Sequence, residues 1–114
     1  MADFVVIGLS SFGSFLAKSL YSMGENVLVI DENKDKIQET KDFVTQGITA
    51  DASDRKILER IVINENVTVI ICLGNKFEKT VMVTYHLKQL GITKIIAKAN
   101  NEDQGKVLDR KSVV

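Results

Sequence analysis

Five short runs rich in apolar residues, Phe4 to Ile7, Val27 to Ile30, Phe43 to Ile48, Val67 to Leu73 and Lys94 to Ala97, alternate along the chain with segments of helical periodicity. Such alternation predicts an α/β fold, a doubly wound parallel sheet with helices on both faces. The first, second and fourth runs are nearly all apolar and lack a period of two, as strands buried on both sides require. Phe43 to Ile48 contains Thr45 and Gln46 and reads as an edge strand. In the first helical segment Phe12, Phe15, Leu16, Ser19, Leu20 and Met23 share one face, expected to pack on the sheet, and Gly24 is the expected C-terminal cap. A second helix is expected over Lys34 to Lys41. A third runs from about Asp54 to Ile63, with Ser53 as N-cap and Ile57, Leu58, Ile61 and Val62 facing inward. The fourth covers about Phe77 to Leu90 and ends at Gly91. Its Val83, Leu87 and Leu90 form one stripe, while Val81 and Tyr85 project from roughly the opposite side. That second apolar face fits either a partner or ordinary isolated exposure.

The connection between the first run and the first helix, Gly8-Leu9-Ser10-Ser11-Phe12-Gly13, carries the most specific chemistry. A dinucleotide-binding turn needs glycines to reverse the chain, to let a pyrophosphate near the backbone and to bring helix and strand close together. Gly8 and Gly13 meet the first and third needs. Ser10 stands at the middle position, where its Cβ and hydroxyl intrude. The helix N-terminus still offers unpaired N–H groups and a positive dipole end to an anion. Asp31 ends the second run, 18 residues beyond Gly13, near the spacing of the acid that receives ribose hydroxyls. A carboxylate there disfavours a 2′-phosphate and so NADP. Asp-Glu-Asn is also an ordinary loop opening, with Asn33 able to cap the next helix.

The remaining composition narrows the alternatives. With 114 residues, 45% of them apolar, no proline, and no visible repeat or linker, the chain reads as one domain. Fifteen basic residues balance fifteen acidic ones, which argues against a nucleic-acid or anionic-membrane footprint. The start lacks the pattern of a secretory signal and no apolar run approaches spanning length, so a cytosolic chain without membrane insertion is expected. Cys72, the only cysteine, lies in the fourth run and reads as core. His86, the only histidine, has no partner at metal-ligand spacing and reads as a surface or interface residue. No phosphate-binding Gly-x-x-x-x-Gly-Lys-Ser/Thr loop occurs, and Ser10-Ser11 lacks His and Asp partners in hydrolase order. A small NAD-binding oxidoreductase remains the alternative, although hydride transfer needs a substrate pocket normally supplied by a second domain.

Four segments together, Phe4 to Leu9 with Phe12-Gly13, Val27 to Asp31, Asp51-Ala52-Ser53-Asp54, and Ala97-Lys98-Ala99-Asn100, resemble the regulator of potassium conductance domain. This domain is also called KTN or TrkA-N. It is found in the cytosolic subunits of Trk- and Ktr-type potassium uptake systems and in some potassium channels, and the resemblance spans essentially the whole chain. It implies a Rossmann-like sheet with an adenine nucleotide, NAD, NADH, ATP or ADP, across the carboxyl ends of the strands. Gly8 and Gly13 would flank the phosphates within a turn that also contains Ser10, Ser11 and Phe12. Asp31, with Glu32 beside it, would hold the ribose, and Asp51-Ala52 would lie beside the adenine. Gly74 and Asn75 would be near the ligand at the end of the fourth strand, and Lys98 would approach the phosphates from the other half of the crevice, unless it is simply solvated. Many members carry Gly-Arg where this chain has Ser10-Ser11, so a bidentate cationic donor is missing. The resemblance also leads to the expectation that residues 1–114 end before the last strand of such a domain, with no C-terminal ligand domain among them. What the resemblance implies overall is a non-catalytic regulatory domain over residues 1–114. It would be a homo-oligomer, a dimer building a ring, at the inner face of the cell membrane, controlling a membrane-embedded potassium transporter subunit.

Overall fold

A computed structural model of the protein describes residues 3–61, 66–98 and 102–113. Five strands, β1 (Phe4–Ile7), β2 (Val27–Asp31), β3 (Gln46–Thr49), β4 (Thr68–Ile71) and β5 (Lys94–Ala97), form one sheet in the order β3-β2-β1-β4-β5. Every pairing is parallel, with Val5 opposite both Leu28 and Val69. The order reverses between β1 and β4, so a crevice opens at the carboxyl ends of those two strands, where α/β sheets bind ligands.

The helices are α1 (Ser11–Ser22), α2 (Lys34–Thr40), α3 (Arg55–Ile61), α4 (Phe77–Gln89) and α5 (Glu102–Val113). The unbroken apolar strands feed two cores, because alternate side chains leave opposite faces of the sheet. Val5, Ile7, Leu28, Ile30, Val69 and Ile71 join Leu58, Val83 and Leu87 on one face. Val6, Val27, Val29 and Ile70 meet Ala17, Leu20 and Ile37 on the other. Cys72 is buried in that second core, as expected. Thr80 and Thr84 share the buried face of α4 because their hydroxyls donate back to the carbonyls of Lys76 and Thr80, at 3.0 and 2.7 Å. His86 is half-buried on the same helix.

Three expectations are corrected. Phe12, Phe15 and Met23 do not pack on the sheet. They are exposed, Phe15 at 70%, whereas Leu20 of the same face is buried and Leu16 packs partly against the core, as expected, and Gly13 and Ala17 complete the buried side. The approach of α1 to the Gly8 turn explains this, since a Cβ built on Gly13 would sit 2.1 Å from the Gly8 carbonyl oxygen, and only small side chains fit at that separation. The third strand does not start at Phe43. Lys41–Phe43 is a 3₁₀ turn, Phe43 is half-exposed beneath the Lys18 ammonium, and the strand spans Gln46–Thr49 at the sheet edge. Ser53 is not the cap of α3. Asp54 accepts from the Lys56 amide at 3.0 Å, while Ser53 turns to Asp51. Val62 and Ile63, expected at the end of that helix, and the Ala99-Asn100 pair lie outside the described residues. Asn33 caps α2, accepting from Asp35 and Lys36 at 2.9 and 3.2 Å. The fifth helix, α5, was not anticipated from the sequence; it packs against α4 and buries Leu108.

Candidate functional site

The Gly8 turn is built by constraints that only glycine meets. Gly8 has φ +98°, and an added Cβ would lie 2.4 Å from the Cys72 carbonyl oxygen. The Gly8 amide donates to the Ile30 carbonyl at 2.9 Å, which extends the β1–β2 ladder into the turn. Ser10 has an ordinary extended backbone (φ −60°, ψ 172°) and is the N-cap of α1. Its Oγ accepts from the Gly13 amide at 3.3 Å. The middle position therefore makes no conformational demand for glycine, and its serine serves the helix. The Ser11 and Phe12 amides, in the first turn of α1, have no intrahelical acceptor by helix geometry. Ser10→Ala should cost about 1 kcal/mol through the lost cap, read as a lowered urea midpoint.

Asp31 ties two turns together. One carboxylate oxygen accepts from the Leu9 amide at 2.7 Å and the other from the Asn33 amide at 2.7 Å. The acid is thereby held at the mouth of the crevice with lone pairs to spare for other donors. Gly8, Ser10, Asp31, Glu32, Gly74 and Lys76 line an open cleft of about 450 Å³. That volume falls within the range of small-molecule sites. Asp31, Glu32, Asp51 and Ala52 also border a second, smaller recess. Lys98, at the end of β5, places its ammonium 5.5 Å from the centre of the Phe12 ring at the start of α1. Ser11 and Asn75 are exposed and belong to neither lining.

Two residues that sequence reasoning missed complete the electrostatics. Lys79 Nζ lies 2.9 Å from Glu32 Oε1 and 3.6 Å from Asp51 Oδ1, and Lys76 Nζ lies 3.8 Å from Glu32 Oε2. Their signal was two lysines three positions apart straddling the start of α4, directly after Gly74-Asn75. Asp51 also accepts from the Ser53 hydroxyl at 2.7 Å and amide at 2.9 Å. The Ser53 hydroxyl, foremost, with its amide and the Lys79 ammonium, holds the Asp51 carboxyl below the usual range. The hydrogen bond to Glu32 chiefly raises the Lys79 ammonium above its ordinary value. Burial pushes the Cys72 thiol up to about 11, so it stays protonated at neutral pH despite the Lys98 charge.

Residues 4–114 match the TrkA-N domain family model. The chain is 34% identical over 108 residues to the Ktr system potassium uptake protein A of Bacillus subtilis, covering 95% of this chain and 49% of that protein. It is 31% identical to Ktr system potassium uptake protein C of the same organism, with the same coverage. The chain thus spans about half the length of the curated relatives it matches. Among solved structures, the NAD(P)-binding domain of an exopolyphosphatase-related protein from Archaeoglobus fulgidus superposes with a TM-score of 0.87 at 22% identity, over 98% of this chain and 84% of that one. The five-stranded parallel sheet is thus a Rossmann-like one. With the family model matched across all but the first three residues, the chain belongs to the TrkA-N domain family.

Proposed function

We propose that residues 1–114 act as a nucleotide-sensing regulatory domain that controls a membrane-embedded potassium uptake transporter or channel. The observation that carries the reading is the Asp31 carboxylate, anchored on the Leu9 and Asn33 amides beside the Gly8 turn. An adenine nucleotide, NAD or NADH in one case, ATP or ADP in the other, would place its ribose hydroxyls on Asp31 and its phosphates along Gly8, Ser10, Ser11, Phe12 and Gly13. Its adenine would lie beside Glu32, Asp51 and Ala52, with Gly74 along the opposite wall and the exposed Asn75 next to it. Lys98, beside Phe12, supplies a cation toward the phosphates, and the missing arginine makes that charge the more important.

The similarity to Ktr system potassium uptake proteins supports potassium uptake as the controlled process. No helix among the described residues is long and apolar enough to cross a membrane, which fits a domain that reaches the bilayer through a transporter subunit. In this reading it works at the inner face of the cell membrane as a homo-oligomer, a dimer building a ring, and performs no catalysis of its own. Control requires the nucleotide to bind two conformations with unequal affinity, since equal affinity shifts nothing.

Calorimetric titration of the folded protein with NAD, NADH, ATP, ADP and NADP in turn tests this. Saturable binding of one adenine nucleotide with NADP rejected is the expected result. Turnover of NADH with added carbonyl substrates would favour the oxidoreductase alternative, and no binding at all would remove the sensing role.

A further inference from the structure

The smaller recess has an apolar floor and a charged roof. Ile7, Ile30, Ala50, Ala52 and Leu73 form the floor, at the carboxyl ends of the strands and the connections that follow them. Glu32, Asp51, Lys76 and Lys79 also line it as its charged side, and its volume is about 30 Å³. That is room for a water molecule but not for a purine base.

The roof is made from both halves of the sheet. Glu32 and Asp51 follow β2 and β3, whereas Lys76 and Lys79 belong to the start of α4, after β4. Lys79 is the bridging member, in reach of both carboxylates. Asp51 is pinned by Ser53, so that anchor does not swing aside. The Glu32 and Lys79 side chains keep 45% and 35% of their surface in water. Ion pairs of that exposure contribute little each, so the roof parts and re-forms at small cost.

We infer that Lys79 gates the adenine end of the crevice: paired to Glu32 and Asp51 it covers the apolar floor, and a base reaches that floor only when the pairs separate. This rests on the nucleotide reading above. The entering base exchanges half-solvated ion pairs for contact with Ile7, Ile30, Ala52 and Leu73.

Adenosine separates the gate from phosphate electrostatics, because it carries no charge. It is titrated into the wild-type chain and into Lys79→Gln at about 0.05 M and about 0.5 M salt, where screening lengths differ by roughly threefold. The wild type is expected to bind adenosine about two- to fivefold more tightly at high salt, and Lys79→Gln to reach that tighter value already at low salt. Circular dichroism confirms that the variant is folded. Weaker or unchanged adenosine binding by Lys79→Gln at low salt, while the wild type still binds ADP or NAD, overturns the gate and leaves the nucleotide reading standing. If the folded wild type binds neither adenosine, ADP nor NAD, the nucleotide reading fails and the gate with it.

Discussion

Gly13→Ala is expected to lower the stability of the protein by about 3 kcal/mol, at the severe end of what an extra methyl costs in a packed site. Helix propensity alone argues the other way, since alanine is favoured over glycine inside a helix by roughly 1 kcal/mol. Contact geometry decides the sign. The new Cβ would stand 2.1 Å from the Gly8 carbonyl oxygen and 2.9 Å from the Cys72 Cβ. Neither the Gly8 carbonyl nor the backbone that carries Cys72 can rotate away as a flexible side chain would. The start of α1 must therefore retreat from β1 and loosen the packing of Ala17 and Leu20 behind it. A urea denaturation series checks this, and a midpoint that stays level or rises would show that the turn yields without loss.

Asp31→Ala should weaken binding of the adenine nucleotide by about 1–3 kcal/mol through lost hydrogen bonds to the ribose, roughly a 5- to 150-fold loss in affinity. Two consequences of the same truncation need separating. The Leu9 and Asn33 amides lose their acceptor along with the ligand. Because the site opens to solvent, water can take over part of that role, so the turn should persist in a folded variant. Calorimetry on protein whose circular dichroism matches the wild type isolates the ligand term. Affinity equal to wild type would remove Asp31 from the ribose site.

Much of the architecture was legible because it is written in local patterns. The bounds of β1 and β5 follow from where apolar runs begin and end, and the Asn33 cap from a side chain that needs only the next two or three amides. β4 is shorter than its apolar run, because Cys72 and Leu73 are apolar for the sake of the core and the crevice and not for strand pairing. Thr45, read with Gln46 as the mark of an edge strand, does stand at the sheet edge but precedes β3 itself. Its hydroxyl accepts from the Val27 amide and its own amide donates to the Val27 carbonyl, so it ties the chain to the sheet before the strand proper starts.

The sequence by itself determined the alternation of the five strands with the four helices between them, the parallel doubly wound class, the glycine turn and the acid at the end of β2. Each depends on residues a few positions apart, or on a periodicity that any strand or helix must show. Only the tertiary structure decided that Phe12, Phe15 and Met23 are left out of the buried side of α1 while Leu20 of the same stripe is kept. A hydrophobic stripe records the wish to leave water, whereas the gap between helix and strand at Gly8 and Gly13 admits only small side chains, and that gap outranks the stripe. Only the tertiary structure, likewise, brought Lys79 to Glu32, 47 residues away along the chain, and both to Asp51. Charges that distant in sequence have no periodicity to betray them, and they meet because the sheet order sets the ends of β2, β3 and β4 around one crevice.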